Sequence, residues 1–361
     1  HPVRILRPSV VTDGAALTWM LHGTVLYSVH AGEDSRVEVQ ARPVPGFEPL
    51  WKRRFDTGGE VPRLRMTGPY LAINYGPQMI LLDPATGQAR WRDDDESGGL
   101  GAGGEVLLWT ADGRVGLLDP AAGRIRWRHE VTRVPIGATA TEQHVQVLYD
   151  DGTAVAYGRD RGEVVRTVED LPIREPNTSG VGTGSGPGSG GVIAEGLPIF
   201  SATDDLAIVF GPEEITALRL PTLERRWTAE VTAPVGVNRC GTRVCVISDG
   251  GVTAFDQDTG EQLWTSAEWT TWSGTLAGSP DGRIARVDPN TGRVLESRGR
   301  GRLAGTVVIR ADSRQTAVID QATGRLRAIV PAPLPSCRGV EDLIACQGAS
   351  GFVTVWRIPK T

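Results

Sequence analysis

The chain has 361 residues, 40% of them hydrophobic and 22% charged, with a formal net charge of −5 and a pI of about 5.7. An acidic chain lacks the basic face that phosphate backbones require, which excludes nucleic acid as the expected partner. No window approaches the ~18 consecutive apolar residues of a membrane helix.

Glycine (46) and proline (24) are frequent, as suits short strands joined by tight turns. Lys52 and Lys360 are the only lysines among many arginines, a usage expected of a GC-rich bacterial genome. The sequence opens at His1 without an initiator methionine or a signal segment, as expected of a mature or a trimmed chain, and leaves room for a membrane anchor upstream.

In chain order, the first predicted element is a short strand, Val3-Arg4-Ile5-Leu6. The first repeat unit starts near Thr24 and keeps little of the later pattern beyond Trp51. Lys52-Arg53-Arg54 reads as a solvated strand end. The pattern becomes plain in LLDPATGQARW from Leu81 and LLDPAAGRIRW from Leu117. Between them, Asp93-Asp94-Asp95-Glu96 lacks the spaced ligands and turn glycine of a calcium loop and reads as a solvated turn. Weaker copies are AYGRDRGEVVR from Ala156 and ALRLPTLERRW from Ala217. They flank residues 172–197, a Gly/Ser/Pro-rich insertion whose composition predicts a flexible surface loop. Asn177-Thr178-Ser179 within it has the form of a glycosylation acceptor, which carries little meaning in a bacterial chain. The pattern returns in AFDQDTGEQLW from Ala254, RVDPNTGRVLE from Arg286 and VIDQATGRLRA from Val318. A last unit, Cys337 to Arg357, stops before a turn or a fourth strand.

The physics of the repeat is local. Gly87, Gly123, Gly260, Gly292 and Gly324 stand where a tight turn needs φ > 0. Asp83, Asp119, Asp256, Asp288 and Asp320 can accept hydrogen bonds from backbone N–H groups of their own turn. Trp91, Trp127 and Trp264 follow four residues after the glycine and are expected to pack between neighbouring sheets. Alternating strands such as Val106-Leu107-Leu108-Trp109 lie upstream, followed by Asp-Gly turns at Asp112-Gly113, Asp151-Gly152 and Asp249-Gly250. Four strands in about 40 residues make one propeller blade.

This pattern resembles the pyrroloquinoline-quinone-like propeller repeat, roughly A-x-D-x-x-T-G-x-x-x-W. That repeat is shared by quinoprotein alcohol dehydrogenases, an outer-membrane assembly lipoprotein and bacterial extracellular propeller domains. The resemblance runs from about Thr24 to Arg357 and implies an all-β fold, one β-propeller domain over residues 1–361. A literal tally gives nine units, but the unit at Ser273–Leu295 is short, the first is weak, and the family usually has eight. Eight four-stranded blades are therefore expected, with seven and nine as the neighbouring counts. Val3–Leu6 is expected to supply the missing strand of the last blade and close the ring.

The four cysteines form two close pairs without zinc-ligand spacing. A two-residue turn at Thr242-Arg243 would set Cys240 opposite Cys245, and one at Glu341-Asp342 would set Cys337 opposite Cys346. Both would be non-hydrogen-bonded pairs, close enough to bridge. Two disulfides imply an oxidising, extracytoplasmic compartment.

No catalytic set emerges. His1, His22, His30, His129 and His144 are scattered without metal spacing, and no nucleophile elbow or P-loop occurs. No metal and no cofactor are expected. A quinone-dependent dehydrogenase, the alternative the resemblance raises, is usually longer and uses adjacent cysteines, which are missing here. The sequence therefore predicts a non-enzymatic, monomeric binding scaffold or sensor domain for a protein, peptide or cell-envelope ligand.

Overall fold

The computed structural model describes residues 4–358, except 47, 77, 94–97, 103, 111, 174–199, 203–204, 305–306, 312–313 and 334–335. The insertion predicted at 172–197 and the acidic run after Asp93 therefore fall almost wholly outside the described residues, as do His1 and Lys360.

The described residues form strands and turns only, in nine antiparallel sheets built on four strands each. In chain order these are sheet one (18–56), two (63–93), three (98–130), four (135–168), five (200–230), six (234–266), seven (271–300), eight (302–330) and nine (336–357 with Val10–Val11). Nine replaces the expected eight, so the literal tally was the sound one. Sheet seven was discounted for its length, and two of its strands, Thr271–Ser273 and Leu276–Gly278, have three residues each. It holds its place with bulk: Trp269 and Trp272 are buried, and Trp272 lies 5.8 Å from Trp264 of sheet six. Sheet one, equally weak as a repeat, contains the long strands Val25–Ala31 and Arg36–Pro43.

Within a sheet, the middle strands are buried on both faces and so read as continuous apolar runs. Leu206–Phe210 and Ala154–Gly158 are buried at every residue. The last strand is mostly exposed, as in Glu224–Glu230, where Trp227 alone is buried.

The chain divides into two compact units, one of residues 1–95 with 300–361 and one of Glu96–Gly299. In each, the core lies between consecutive sheets. In the first unit Val29, Val39, Ile73 and Ile80 fill the space between sheets one and two, and Val307, Val318, Ile344 and Trp356 that between sheets eight and nine. In the second, Leu117, Trp127, Val147 and Tyr157 join sheets three and four.

The N-terminal segment departs from the expected pairing. Val10–Val11, not Val3–Leu6, completes sheet nine, with Val10 opposite Val355 and Val11 opposite Thr354. Arg4–Ile5 instead runs parallel to Leu326–Val330 as a fifth strand of sheet eight. An alternating Val-Val pair after Pro8 reads weakly in sequence, yet Val10 is fully buried and Ser9 and Thr12 N–H groups donate to Val355 and Val353 carbonyls.

Candidate functional site

The repeat residues are spread one set per sheet and do not converge. Each set builds a corner between a third and a fourth strand. Asp256 Oδ1 accepts from the N–H groups of Asp258 (2.9 Å) and Thr259 (3.0 Å), and Asp83 Oδ1 from those of Ala85 and Thr86. Asp119, Asp288 and Asp320 accept in the same way from Ala122, Asn290 and Thr323. The Thr259 N–H holds Asp256 below the usual carboxylate range, and the Arg90 guanidinium does the same for Asp83. At the far side of the corner, Gly260 N–H donates to Asp256 O with φ at +71°. Arg90, Arg126 and Arg327, three residues past the glycine, reach back to Asp83, Asp119 and Asp320.

At four corners the tryptophan packs on the corner of the next sheet; Trp91, expected to do the same, does not, since nothing stands over Gly123. Indole Nε1–H of Trp51, Trp127, Trp227 and Trp264 donates at 2.9 Å to the carbonyls of Pro84, Arg159, Gln257 and Pro289. The same rings lie over Gly87, Gly162, Gly260 and Gly292, where a Cβ would come within 2.5–2.8 Å of the indole. At these four corners the glycine is thus needed twice, for its left-handed φ and for the indole above it. Sheets four and five make the converse case. Arg166 stands at the tryptophan position of sheet four, and Leu223 at the glycine position of sheet five. Leu223 keeps the left-handed φ of +57° and is fully buried among Leu171, Ala156 and Leu218. A side chain at the corner accompanies the loss of the indole that would have clashed with it.

Both disulfides are present, each within one hairpin. Cys337 lies directly opposite Cys346, with Cα atoms 4.1 Å apart. Cys240 does not face Cys245. The turn is Gly241-Thr242, so Cys240 pairs with Arg243 and Cys245 with Asn238, and the bridge runs diagonally over 5.8 Å. Gly241, at φ +65°, takes the first turn position, which shifts the register by one residue from the expected Thr242-Arg243.

Sequence reasoning missed a polar cluster on sheet one. Ser28 and His30 on one strand, and Glu38, Gln40 and Arg42 on the next, share the face that packs on the N-terminal segment beside sheet nine. Ser28, Gln40 and Arg42 are 0–3% exposed and His30 8%. His30 Nδ1–H donates to Ala15 O (3.1 Å), which leaves Nε2 to accept from Ser28 Oγ–H (2.8 Å). Burial pushes the His30 pKa below its ordinary value. Arg42 donates to Asp13 and to Gln40 Oε1 (3.0 Å). Burial alone would raise Glu38, but hydrogen bonds from Gln40 and Arg54 and the charge of Lys52 outweigh it and hold the carboxylate low. A cleft of about 370 Å³ opens beside the cluster, lined by His30, Glu33, Asp34, Arg36, Glu38 and Arg54 among others. The basic run Lys52–Arg54 is thus exposed on an outer strand yet engaged: Lys52 with Asp13, Arg54 with Glu38, Arg53 with the carbonyls of Gly87 and Thr86. The signal was available as a period-two polar stripe, Ser28-x-His30 and Glu38-x-Gln40-x-Arg42, where other sheets are apolar.

Other polar groups serve packing. Glu105, buried, is shared by Arg126 (2.5 Å) and Arg159 (2.8 Å). His129 donates to Gly162 O and stacks on Tyr157, whose hydroxyl meets that of Tyr149 at 2.7 Å. Among the described residues, no three His, Cys, Asp or Glu side chains are placed to hold a metal ion.

Nine four-stranded antiparallel sheets, each on its repeat of about 40 residues, define a β-propeller, and solved structures match along the whole chain. BamB from Moraxella catarrhalis is 17% identical, covers 99% of both chains and gives a TM-score of 0.53. The computationally designed Ika8 protein is 15% identical over 97% of this chain and 99% of its own, at a TM-score of 0.52. The C-terminal WD40 domain of Sif2 is 11% identical over both chains, at a TM-score of 0.53. No curated protein sequence matches. The family model for outer membrane protein assembly factor BamB matches residues 48–170, 76–244 and 186–328. The chain belongs to this family of quinoprotein-type propeller repeats.

Proposed function

We propose that the chain is a non-enzymatic binding scaffold that works outside the cytoplasm of a bacterium and engages a protein or peptide partner. Membership of the assembly-factor family across most of the chain carries the reading. The use of the polar groups agrees with it. Corner aspartates, Glu105 and His30 are all spent on internal contacts. The two disulfides support an oxidising compartment.

The test is crosslinking in the native cell envelope with a photoreactive group on an exposed outer strand. A defined protein adduct that excess unlabelled chain competes away is the expected result. Absence of any competed adduct, together with saturable binding of pyrroloquinoline quinone and calcium by thermal shift, would overturn the reading.

A further inference from the structure

The strands that follow a corner are outer edges, and most carry the motif tryptophan. Three do not: Val164–Val168 has Arg166 there, Val294–Arg300 has Glu296, and Leu326–Val330 has Ala328. Leu326–Val330 is already covered. Arg4–Ile5 runs parallel along it, with Arg4 against Ala328 and Ile5 against Ile329, and Leu6 N–H donates to Ile329 O at 2.9 Å. This chain therefore contains its own example of an outer edge extended by one strand.

Val164–Val168 matches the covered edge in make-up. Its sequence, Val-Val-Arg-Thr-Val, is aliphatic with a single arginine, like Leu-Arg-Ala-Ile-Val at 326–330. Val294–Arg300 instead holds Glu296, Arg298 and Arg300, charges that block edge pairing. Among the described residues, Val164–Val168 pairs only with Ala154–Gly158 on its inner side. Val164 is 58% and Val165 48% exposed. A row of unpaired backbone groups flanked by exposed valines is a template for strand addition.

We propose that this edge receives one extended strand of a partner protein, aliphatic at alternate residues and carrying a carboxylate opposite Arg166. The charge fixes the choice of occupant. Arg166 is exposed and makes no ion pair among the described residues. A second copy pairing antiparallel about Arg166 would set one guanidinium against the other, which destabilises a cross-strand pair. A carboxylate there gains what the like charge loses. The inference rests on the scaffold reading and names the surface that reading leaves open.

The test uses the full chain and two labelled synthetic peptides, acetyl-Thr-Val-Glu-Val-Thr-Val-amide and the same peptide with Lys for Glu, followed by fluorescence anisotropy. The Glu peptide should bind about tenfold more tightly. Arg166→Glu, on an exposed side chain, should reverse the preference, and Val165→Lys should abolish binding of both. Equal binding of the two peptides, or indifference to Arg166→Glu, would overturn the proposal. So would binding that appears only after removal of residues 174–199, which would make the chain itself the occupant. Concentration-dependent dimerisation lost in Arg166→Glu would overturn it in favour of a second copy. An Arg166→Glu chain that still captures its envelope adduct would sink the edge and leave the scaffold reading standing.

Discussion

Asp256 shows what a corner rests on. One carboxylate oxygen gathers two backbone N–H groups that the turn would otherwise leave without protein partners. Asp256→Ala should cost about 1–2 kcal/mol, read from a chemical denaturation midpoint. The depressed pKa values of Asp83, Asp256, Asp288 and Asp320 set a pH dependence. In the unfolded chain these groups protonate near 3.9. The stability they confer is complete above that value and is lost as pH falls through their lower folded values. His30 acts in a higher window. Its folded pKa lies below its ordinary 6.5, so the unfolded chain binds the proton first and stability declines as pH falls below 6.5. A melting-temperature series from pH 7 to 5 should slope downward in the native chain and flatten in His30→Gln. The Asp and Gly signals were legible because they act within their own turn. The polar stripe of Ser28, His30, Gln40 and Arg42 stands in the sequence, but its meaning does not, because that depends on Asp13 and Ala15 lying across it.

Between sheets, the indole of one corner and the residue at the next corner form a coupled pair. Sequence shows the tryptophan and the glycine of most repeats but not that they meet across repeats, since roughly 30 residues separate them, as in Trp227 Nε1 and Gln257 O. Arg166 at the tryptophan position and Leu223 at the glycine position make one compensated exchange. Leu223→Gly should destabilise by about 2–4 kcal/mol through the cavity it leaves. Arg166→Trp should destabilise by about 1–3 kcal/mol through overpacking on Leu223. The double variant should be more stable than the sum of the two predicts, with a coupling of about 1–3 kcal/mol in a denaturation cycle. Strict additivity would disprove the pairing. The cysteine hairpins mark the limit of local reading at this scale. Both bridges were legible from spacing, but the register at Cys240 turned on whether Gly241 or Thr242 opened the turn.

Across the whole chain, repetition revealed the architecture and blurred its count. The Asp-Gly corners marked most sheets directly. Sheet one lacks a clear corner, sheet seven has three-residue strands, and sheet nine borrows its fourth strand from the start of the chain. A two-residue strand at Val10–Val11 carries almost no signal, because its partner lies more than 340 residues away. The family usually has eight blades, and following that habit over the literal tally produced the miscount.

Residue-resolved amide hydrogen exchange tests this account most directly. Nine protected stretches should appear, residues 271–300 among them, and the amides of Ser9 and Thr12 should be protected as their bonds to Val355 and Val353 require. Eight protected stretches, with 271–300 or the Ser9 and Thr12 amides exchanging at unfolded-chain rates, would contradict it.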